Sequence, residues 1–222
     1  MKHGCLRFRT ARPDLSDLPS DPQDWSQAPY GNVQEEIPAN APRPLGNAVD
    51  TITYVDANLY HDLITGRSVT GVLHFLNKTP IDWFSKKQNT VATSTYGSEF
   101  VAARTATEQI IDLRHTLRYL GVPVGQSVMF GDNQSVVTSS TVPQSKLSKR
   151  HYALSYHCVK EALAACILSF HHINGVDNPA DILSKHWGYS TIWHLLQPIM
   201  FYQGDTMAIL TATDTPPQTK GE

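Results

Sequence analysis

The sequence predicts an α/β fold in which a mixed five-stranded sheet is flanked by helices. Three β-rich runs come first, and predicted helices and strands alternate after them. Three hairpin-connected strands followed by such alternation combine antiparallel with parallel pairing and cover the sheet with helices. With 222 residues, 41% of them hydrophobic, the chain is long enough for one domain and short extensions.

The first part of the predicted domain is an antiparallel meander of three strands. They are predicted at residues 51–56, 69–76 and 81–85, because these stretches are rich in β-branched, aromatic and other apolar residues. Gly66 and the turn residues at 77–80 separate them. The meander forms one half of the expected sheet.

A long helix is the next predicted element. Gly121 and Pro123 are typical of its end. Its apolar residues are spaced three and four apart along one face: Ala103, Ala106, Ile110, Leu113, Leu117 and Leu120. Such a face is expected to pack on the sheet.

The second half of the chain alternates between strands and helices. Strands are predicted at 127–130 and 167–173. Helices are predicted at 133–139, 147–165, 179–185 and 191–201, the last one interrupted near Pro198. This order adds two strands to the meander.

Two extensions flank the predicted domain, which spans residues 48–202. Residues 1–47 are expected to form an extended arm, because prolines recur between 11 and 47 and break any regular period. Residues 203–222 contain few apolar side chains and are expected to form a flexible tail.

Composition limits the classes of function. A net charge of -2 means that any contact with nucleic acid requires a local basic patch. Cys5, Cys158 and Cys166 are too few and too widely spaced for a disulfide framework or a structural zinc site. No apolar stretch reaches the roughly 18 residues of a membrane span. We therefore expect an intracellular protein that is not secreted.

Four acidic residues stand where chemistry is often found, although each has a simpler explanation. Asp56 ends the first strand and is open to interpretation as a solvated strand end. Glu99 extends the apolar face of the long helix, or is a first-turn acid favoured by the helix dipole. Asp132 follows a strand and is a candidate helix N-cap. Asp181 lies in the first turn of a helix, where the dipole again favours an acid.

Taken together, the four acids suggest a metal site. In the predicted topology, the ends of neighbouring strands and the starts of flanking helices meet at one edge of the sheet. Carboxylates crowd together only with cations, and hard oxygen ligands suit Mg²⁺ or Mn²⁺. Two such ions can activate water and stabilise the leaving oxygen of a phosphodiester.

Short segments between residues 50 and 185 carry a resemblance to a known family. They are Asp-Ala-Asn at 56–58, Arg-Ser-Val-Thr-Gly at 67–71, Trp-Phe-Ser-Lys-Lys-Gln at 83–88, residues 94–100, Gly-Asp-Asn-Gln-Ser at 131–135, residues 149–161 and Ala-Asp-Ile-Leu-Ser-Lys at 180–185. In order and spacing they resemble the ribonuclease H domain at the C-terminal end of copia-type retrotransposon Pol polyproteins. The predicted sheet is accordingly ribonuclease H-like.

The resemblance implies an activity and a location. It implies that Asp56, Glu99, Asp132 and Asp181 are both the catalytic residues and the ligands of two Mg²⁺ or Mn²⁺ ions. One ion, shared by Asp56 and Asp132, would orient water, and the other, held by Asp56, Glu99 and Asp181, would stabilise the departing oxygen. The implied substrate is the RNA strand of an RNA/DNA hybrid made in reverse transcription. The implied location is the cytoplasm or virus-like particles.

The resemblance also implies partners inside the polyprotein. Residues 1–10 are similar to the end of the reverse transcriptase that precedes this domain, which makes the reverse transcriptase domain an expected partner. Asn58 replaces an acid of the family pattern outside the four positions. Gly175, Val176 and Asp177 stand where cellular relatives have a histidine thought to assist product release.

Residues expected to contact nucleic acid form a basic set and a polar pair. Lys146, Lys149, Arg150 and His151 are the first candidates for a phosphate patch, and Lys86 and Lys87 are the second. The alternative is that these are only solvated basic residues. The family resemblance adds Asn133 and Gln134.

Other functions remain open from the sequence. The presence of all four acids favours an active nuclease, and the alternative is a catalytically silent retroelement fragment that acts as a nucleic-acid-binding or interaction module. A related nuclease of the same superfamily, such as a junction resolvase, is a third reading. An active site predicts metal effects on stability that are lost when one acid is neutralised.

Overall fold

The computed structural model describes residues 4–6, 9, 11–19, 23–147 and 150–202. Its strands are β1 Gly4–Leu6, β2 Thr51–Asp62, β3 Arg67–Leu76, β4 Thr79–Lys87, β5 Ser127–Gly131, β6 Leu168–His172 and β7 Met200–Tyr202. Its α-helices are α1 Thr95–Tyr119, α2 Gln134–Thr141, α3 Ala153–Ala164, α4 Asp181–Ser184 and α5 Tyr189–Leu196. Among these described residues, no helix is both long and apolar enough to cross a bilayer.

The central sheet has five strands in the order β4-β3-β2-β5-β6. β2, β3 and β4 pair antiparallel, and β5 and β6 run parallel to β2. The prediction of a mixed five-stranded sheet flanked by helices is therefore confirmed. Because Val55 pairs with Gly131, β5 ends beside the middle of β2.

Several boundaries differ from the predicted ones. β2 continues to Asp62, because its polar end pairs with β3 through an irregularity between Asn58 and Asp62. α1 begins at Thr95, where Ser94 caps it. Of the helix predicted at 147–165, only Ala153–Ala164 is α-helical, after the 3₁₀ turn Arg150–Tyr152. These shifts leave the order of the elements unchanged.

The predicted helix at 191–201 is wrong at its C-terminal end. α5 stops at Leu196, and Met200–Tyr202 forms β7, which pairs antiparallel with Gly4–Leu6. A strand that is stabilised by a partner almost two hundred residues away leaves little local signal, and the apolar residues fit a helix equally well. The tail predicted at 203–222 lies outside the described residues.

Both faces of the sheet are covered. Val72, Met129 and Phe170 point to the face on which α1, α2 and α3 pack, where Phe100 and Ile110 are fully buried. On the other face, Ile52, Leu73, Phe75 and Val128 form a second cluster, which Leu15, Leu18, Leu183 and Ile199 complete. The alternation of Val72 and Leu73 between the two clusters follows the two-residue period of a strand.

The segment at 23–47 packs along the helices, and its described residues contain no helix or strand. Glu35 accepts hydrogen bonds from Arg114 of α1, at 2.7 Å to each carboxylate oxygen, and from Arg118. Trp25 packs against the core beside the buried ammonium of Lys160, 5.5 Å from the ring centre. These contacts tie the segment to α1 and α3.

Candidate active site

Three of the four predicted acids converge where β5 ends beside the middle of β2. The expectation that Asp56 ends its strand is wrong, because β2 continues to Asp62. Asp56 lies on β2, Asp132 directly follows β5, and Glu99 lies in the second turn of α1. One carboxylate oxygen from each lies within 4.8 Å of the others. Asp56 is 1% exposed and Glu99 is 8% exposed. Three carboxylates this close, two of them buried, repel one another when all are charged.

The start of α1 orients Glu99. The side chain of Ser94 accepts a hydrogen bond from the backbone of Gly97, and this cap sets the first turn of the helix. Phe100, directly after Glu99, is fully buried in the core. A side chain at Gly97 would overlap the ring of the buried Tyr152, so glycine allows α1 to approach the start of α3 closely.

Asn178 connects the loop before α4 to the sheet, and the sequence argument did not identify it. Its side-chain amide donates to the carbonyl of Val55 at 2.9 Å and accepts from the backbone of Ala180 at 3.1 Å. Asn178 is fully buried. Its bond partner Val55 directly precedes Asp56 on β2. An asparagine three residues before a helix is a signal for the local bond with Ala180, because its side chain competes for nearby backbone groups, but the bond to Val55 has no local signal.

Close packing between α4 and β3 holds the fourth acid nearby. A Cβ at Gly71 would lie 2.6 Å from the carbonyl of Ala180, so only glycine permits this approach. Asp181 is 6% exposed, yet its carboxylate is not part of the three-acid group. It accepts a hydrogen bond from Lys185, whose ammonium also lies 3.6 Å from Asp56. Ser184 donates to Asp56.

Burial and mutual repulsion change the acidity of the cluster. Burial raises the pKa of Asp56 to about 6, although the hydroxyl of Ser184 and the charge of Lys185 act in the opposite direction. Burial, together with the charges of Asp56 and Asp132, raises the pKa of Glu99 well above its usual value. Burial also raises the pKa of Asp132. A bound cation would relieve this cost.

The donor set fits a hard divalent cation. Carboxylate oxygens are the ligands that Mg²⁺ and Mn²⁺ prefer, and three of them already lie within mutual reach. The arrangement resembles neither a thiolate nor an imidazole site. His172 is nearby, but its Nε2 atom donates to the backbone carbonyl of Asp132 at 3.0 Å rather than facing the carboxylates.

A surface groove contains part of the predicted basic set. It has a volume of about 650 Å³ between β4, α1 and the start of α3, and Lys86, Lys87 and His151 line it. Arg104 lines it as well, although the sequence argument overlooked this residue on an otherwise ordinary helix face. Lys87 also forms an ion pair with Asp62 at 2.8 Å.

The remaining predicted contacts lie elsewhere. Lys146 and Arg150 are exposed but do not line the groove, and Lys149 lies outside the described residues. Asn133 is the N-cap of α2 and accepts from the backbone of Val136 at 3.2 Å. Gln134 is exposed and bonds to Thr138 at 3.1 Å. Both follow Asp132 directly in the chain.

The sequence is similar to polyproteins of plant transposons, and no family model matches it. The retrovirus-related Pol polyprotein from transposon TNT 1-94 of Nicotiana tabacum is 32% identical over 132 residues, or 60% of this chain. Those from transposons RE2 and RE1 of Arabidopsis thaliana are 27% and 26% identical over 141 residues, or 63% of this chain. The chain spans about a tenth of the length of these relatives.

Solved structures with a similar fold include ribonucleases H. The N-terminal RNase H domain of Rv2228c from Mycobacterium tuberculosis is 13% identical, with a TM-score of 0.46 over 68% of this chain and 98% of that one. RNase H1 from Halobacterium salinarum is 14% identical, with a TM-score of 0.45 over 61% and 94%. LC11-RNase H1, solved with an RNA/DNA hybrid, is 18% identical, with a TM-score of 0.48 over 60% and 92%. Scores below 0.5 are too low to support functional inference, and the fold rests on the strand order itself.

Proposed function

We propose that this chain, which is similar to Pol polyproteins of plant retrotransposons and has a ribonuclease H-like sheet, hydrolyses the RNA strand of RNA/DNA hybrids. The observation that carries the proposal is the cluster of Asp56, Glu99 and Asp132, of which the first two are buried and the third is half-buried. A protein that only binds nucleic acid would gain nothing from three mutually repelling acids in one place.

The proposed reaction depends on divalent cations, with Mg²⁺ or Mn²⁺ as the expected ion and two ions as the expected number. The geometry groups Glu99 with Asp132 and not with Asp181, so the division of ligands expected from the resemblance is changed. In the revised division, Asp56, Glu99 and Asp132 would hold one ion, and Asp181 together with Asp56 would contribute to the other. Such ions supply an activated water and stabilise the leaving oxygen of a phosphodiester. The raised pKa values of the three clustered acids support this assignment, because a cation restores the charged form that burial disfavours.

The protein's other side chains would hold the acids in position and would not react with the substrate themselves. Ser184 donates to one oxygen of Asp56 and thereby orients the carboxylate. Asn178 ties the loop before α4 to the carbonyl of Val55, so that Asp181 stays at the same edge as the other acids. Pre-organisation of this kind lowers the reorganisation required during the reaction.

The hybrid would be bound mainly through its backbone. RNA/DNA duplexes are recognised through phosphates, 2′-hydroxyls and the minor groove, so cleavage is expected to depend weakly on base sequence. The groove lined by Lys86, Lys87, Arg104 and His151 supports a phosphate contact, because basic side chains share one groove. Glu108 also lines the groove and forms an ion pair with Arg104 at 2.8 Å. Lys146, Lys149, Arg150, Asn133 and Gln134 complete the proposed contact set.

The relatives are retrovirus-related Pol polyproteins, and this supports a role beside a reverse transcriptase domain. In such a setting the hybrid is the product of copying RNA into DNA, and removal of the RNA strand is the next step. We expect the reverse transcriptase of the same polyprotein to be the physical partner of this chain.

The test is cleavage of a labelled RNA/DNA hybrid in Mg²⁺ or Mn²⁺. We expect the RNA strand to be cut, duplex DNA to remain intact, and Asp132→Asn to abolish cutting, because this variant removes one ligand charge while keeping the size of the side chain. Asp82→Asn, an exposed acid on β4, is the matched control and is expected to cut normally. A folded wild-type chain that binds the hybrid without cutting it would refute the nuclease and favour a binding module.

A further inference from the structure

Lys185 stands between two of the acids that the proposed function assigns to metal ions. Its ammonium donates to an oxygen of Asp181 and lies 3.6 Å from the nearest oxygen of Asp56. Within the part of the chain that the structure describes, no other lysine or arginine forms an ion pair with the four acids. Lys185 is therefore the internal counter-ion of the cluster.

The position of Lys185 divides the four acids into two parts. Asp56, Glu99 and Asp132 have oxygens within 4.8 Å of one another, whereas Asp181 is outside this group and bound to the lysine. Within the described residues, neither Asp132 nor Glu99 forms an ion pair with a lysine or an arginine. The Asp181 side is already partly neutralised, so a divalent ion gains less there.

The geometry of the chain allows the ammonium to leave. Lys185 follows the last residue of α4 and has extended backbone angles, and its backbone amide bonds to Asp181 at 3.2 Å. Its side chain is 31% exposed, and the ammonium group makes its contacts with the acids. The next residues, His186 to Gly188, are exposed as well. Movement of the side chain therefore requires no unfolding of α4.

We propose that Lys185 competes with the second divalent ion for the carboxylates of Asp181 and Asp56. The first ion binds to Asp56, Glu99 and Asp132, and the second binds tightly only when the ammonium turns to another anion. The substrate phosphate is the anion that arrives at this edge. The inference rests on the proposed function and adds an order to it: one ion first, then substrate and the second ion together.

A binding experiment on the full chain without substrate tests this order. Mn²⁺ is titrated by calorimetry and by electron paramagnetic resonance, at low salt and neutral pH. The wild type is expected to bind one Mn²⁺ tightly. Lys185→Met is expected to bind a second Mn²⁺ at least about tenfold more tightly than the wild type does, because the competing cation is gone. Lys185→Arg keeps the charge and is expected to behave like the wild type.

Two controls separate charge competition from damage to the fold. Lys78→Met removes an exposed lysine on the turn between β3 and β4, and its Mn²⁺ binding is expected to match the wild type. Melting in EDTA is expected to show a lower midpoint for Lys185→Met than for Lys185→Arg, since the acids lose their counter-ion. Saturating Mn²⁺ should raise the midpoint of Lys185→Met by more than that of the wild type.

The outcomes distinguish this inference from the proposed function. If Lys185→Met and the wild type bind Mn²⁺ with the same number and affinity, Lys185 does not compete and the inference is wrong, while cleavage by the wild type keeps the function. The inference would also be wrong if the wild type bound two Mn²⁺ ions with equal affinity. If the wild type binds no Mn²⁺ and cuts no hybrid, both the function and the inference fail.

Discussion

Replacement of Glu35 by Gln should destabilise the whole domain, although Glu35 is far from the acidic cluster in sequence. Burial by itself would raise the pKa of Glu35, but hydrogen bonds and charge from Arg114 and Arg118 lower it from 4.5 to about 2. A pKa that is lower by one in the folded state than in the unfolded state corresponds to about 1.4 kcal/mol of folding stability. The lowered pKa of Glu35 therefore gives an upper bound of roughly 3 kcal/mol for its contribution at neutral pH. Partial exposure of the carboxylate, 13%, reduces this to about 2 kcal/mol.

The variant also leaves a buried cation without its counter-charge. The side chain of Arg114 is only 3% exposed and keeps bonds to the carbonyl of Gly125 and to Ser127 at 3.0 Å. An unpaired charge at such a depth costs about 3 kcal/mol or more. We therefore expect Glu35→Gln to lower the free energy of unfolding by about 2 to 4 kcal/mol.

Urea unfolding at pH 7 measures this loss, with Glu36→Gln as the matched control. Glu36 is the adjacent acid and is exposed, so its replacement is expected to change stability by less than about 0.5 kcal/mol. The pH dependence supplies a second check. Because the folded pKa of Glu35 is depressed, its contribution is complete above 4.5 and is lost as the pH falls towards 2. Equal stability of the two variants at pH 7 would refute the view that residues 23–47 brace α1.

Three further predictions concern the site itself. Gly97→Ala should lose more than about 2 kcal/mol and most of its cleavage activity, because its methyl group overlaps Tyr152, while Gly125→Ala, with open space around it, should stay within about 0.5 kcal/mol in the same urea assay. Asn178→Ala should cost about 2 kcal/mol and reduce kcat, since the carbonyl of Val55 is left buried without its donor; unchanged kcat would show that the bond positions nothing. The metal-free protein should lose stability as the pH rises from 3.8 through about 6, because burial raises the folded pKa of Asp56, and saturating Mg²⁺ should remove this loss; parallel melting curves in EDTA and Mg²⁺ would contradict it.

The parts of the fold that depend on local pattern were predictable from the sequence. The spacing of apolar residues identified α1, and β-rich runs identified the meander, because period and side-chain type are local properties. The position of Glu99 on the inner face of α1 followed from the same spacing. The parallel pairing of β2 and β5 places the end of β5 beside Asp56, and this brings Asp56 and Asp132 together in the structure.

Contacts between distant segments were not predictable in this way. The pairing of Gly4–Leu6 with Met200–Tyr202 depends on two short strands that satisfy each other, and neither has a distinctive pattern alone. Glu35 lies in a proline-rich segment that reads as an arm, and only the structure shows its two arginine partners. Lys185 and Asp181 are four residues apart in sequence, so they look like an ordinary ion pair on the surface of a helix.

The acidic cluster and the brace at Glu35 have opposite effects on stability, and this explains why both are needed. The cluster holds Asp56, Glu99 and Asp132 at an edge where burial disfavours their charge, so the metal-free fold is under electrostatic strain at neutral pH. Glu99 is carried by α1, and α1 is fixed at its far end by the ion pairs of Arg114 and Arg118. If that end were loose, α1 could relieve the repulsion by moving Glu99 away, and a metal ion would have to rebuild the site each time it bound. A fixed helix instead keeps the three ligands in place, so that the repulsion becomes affinity for a cation.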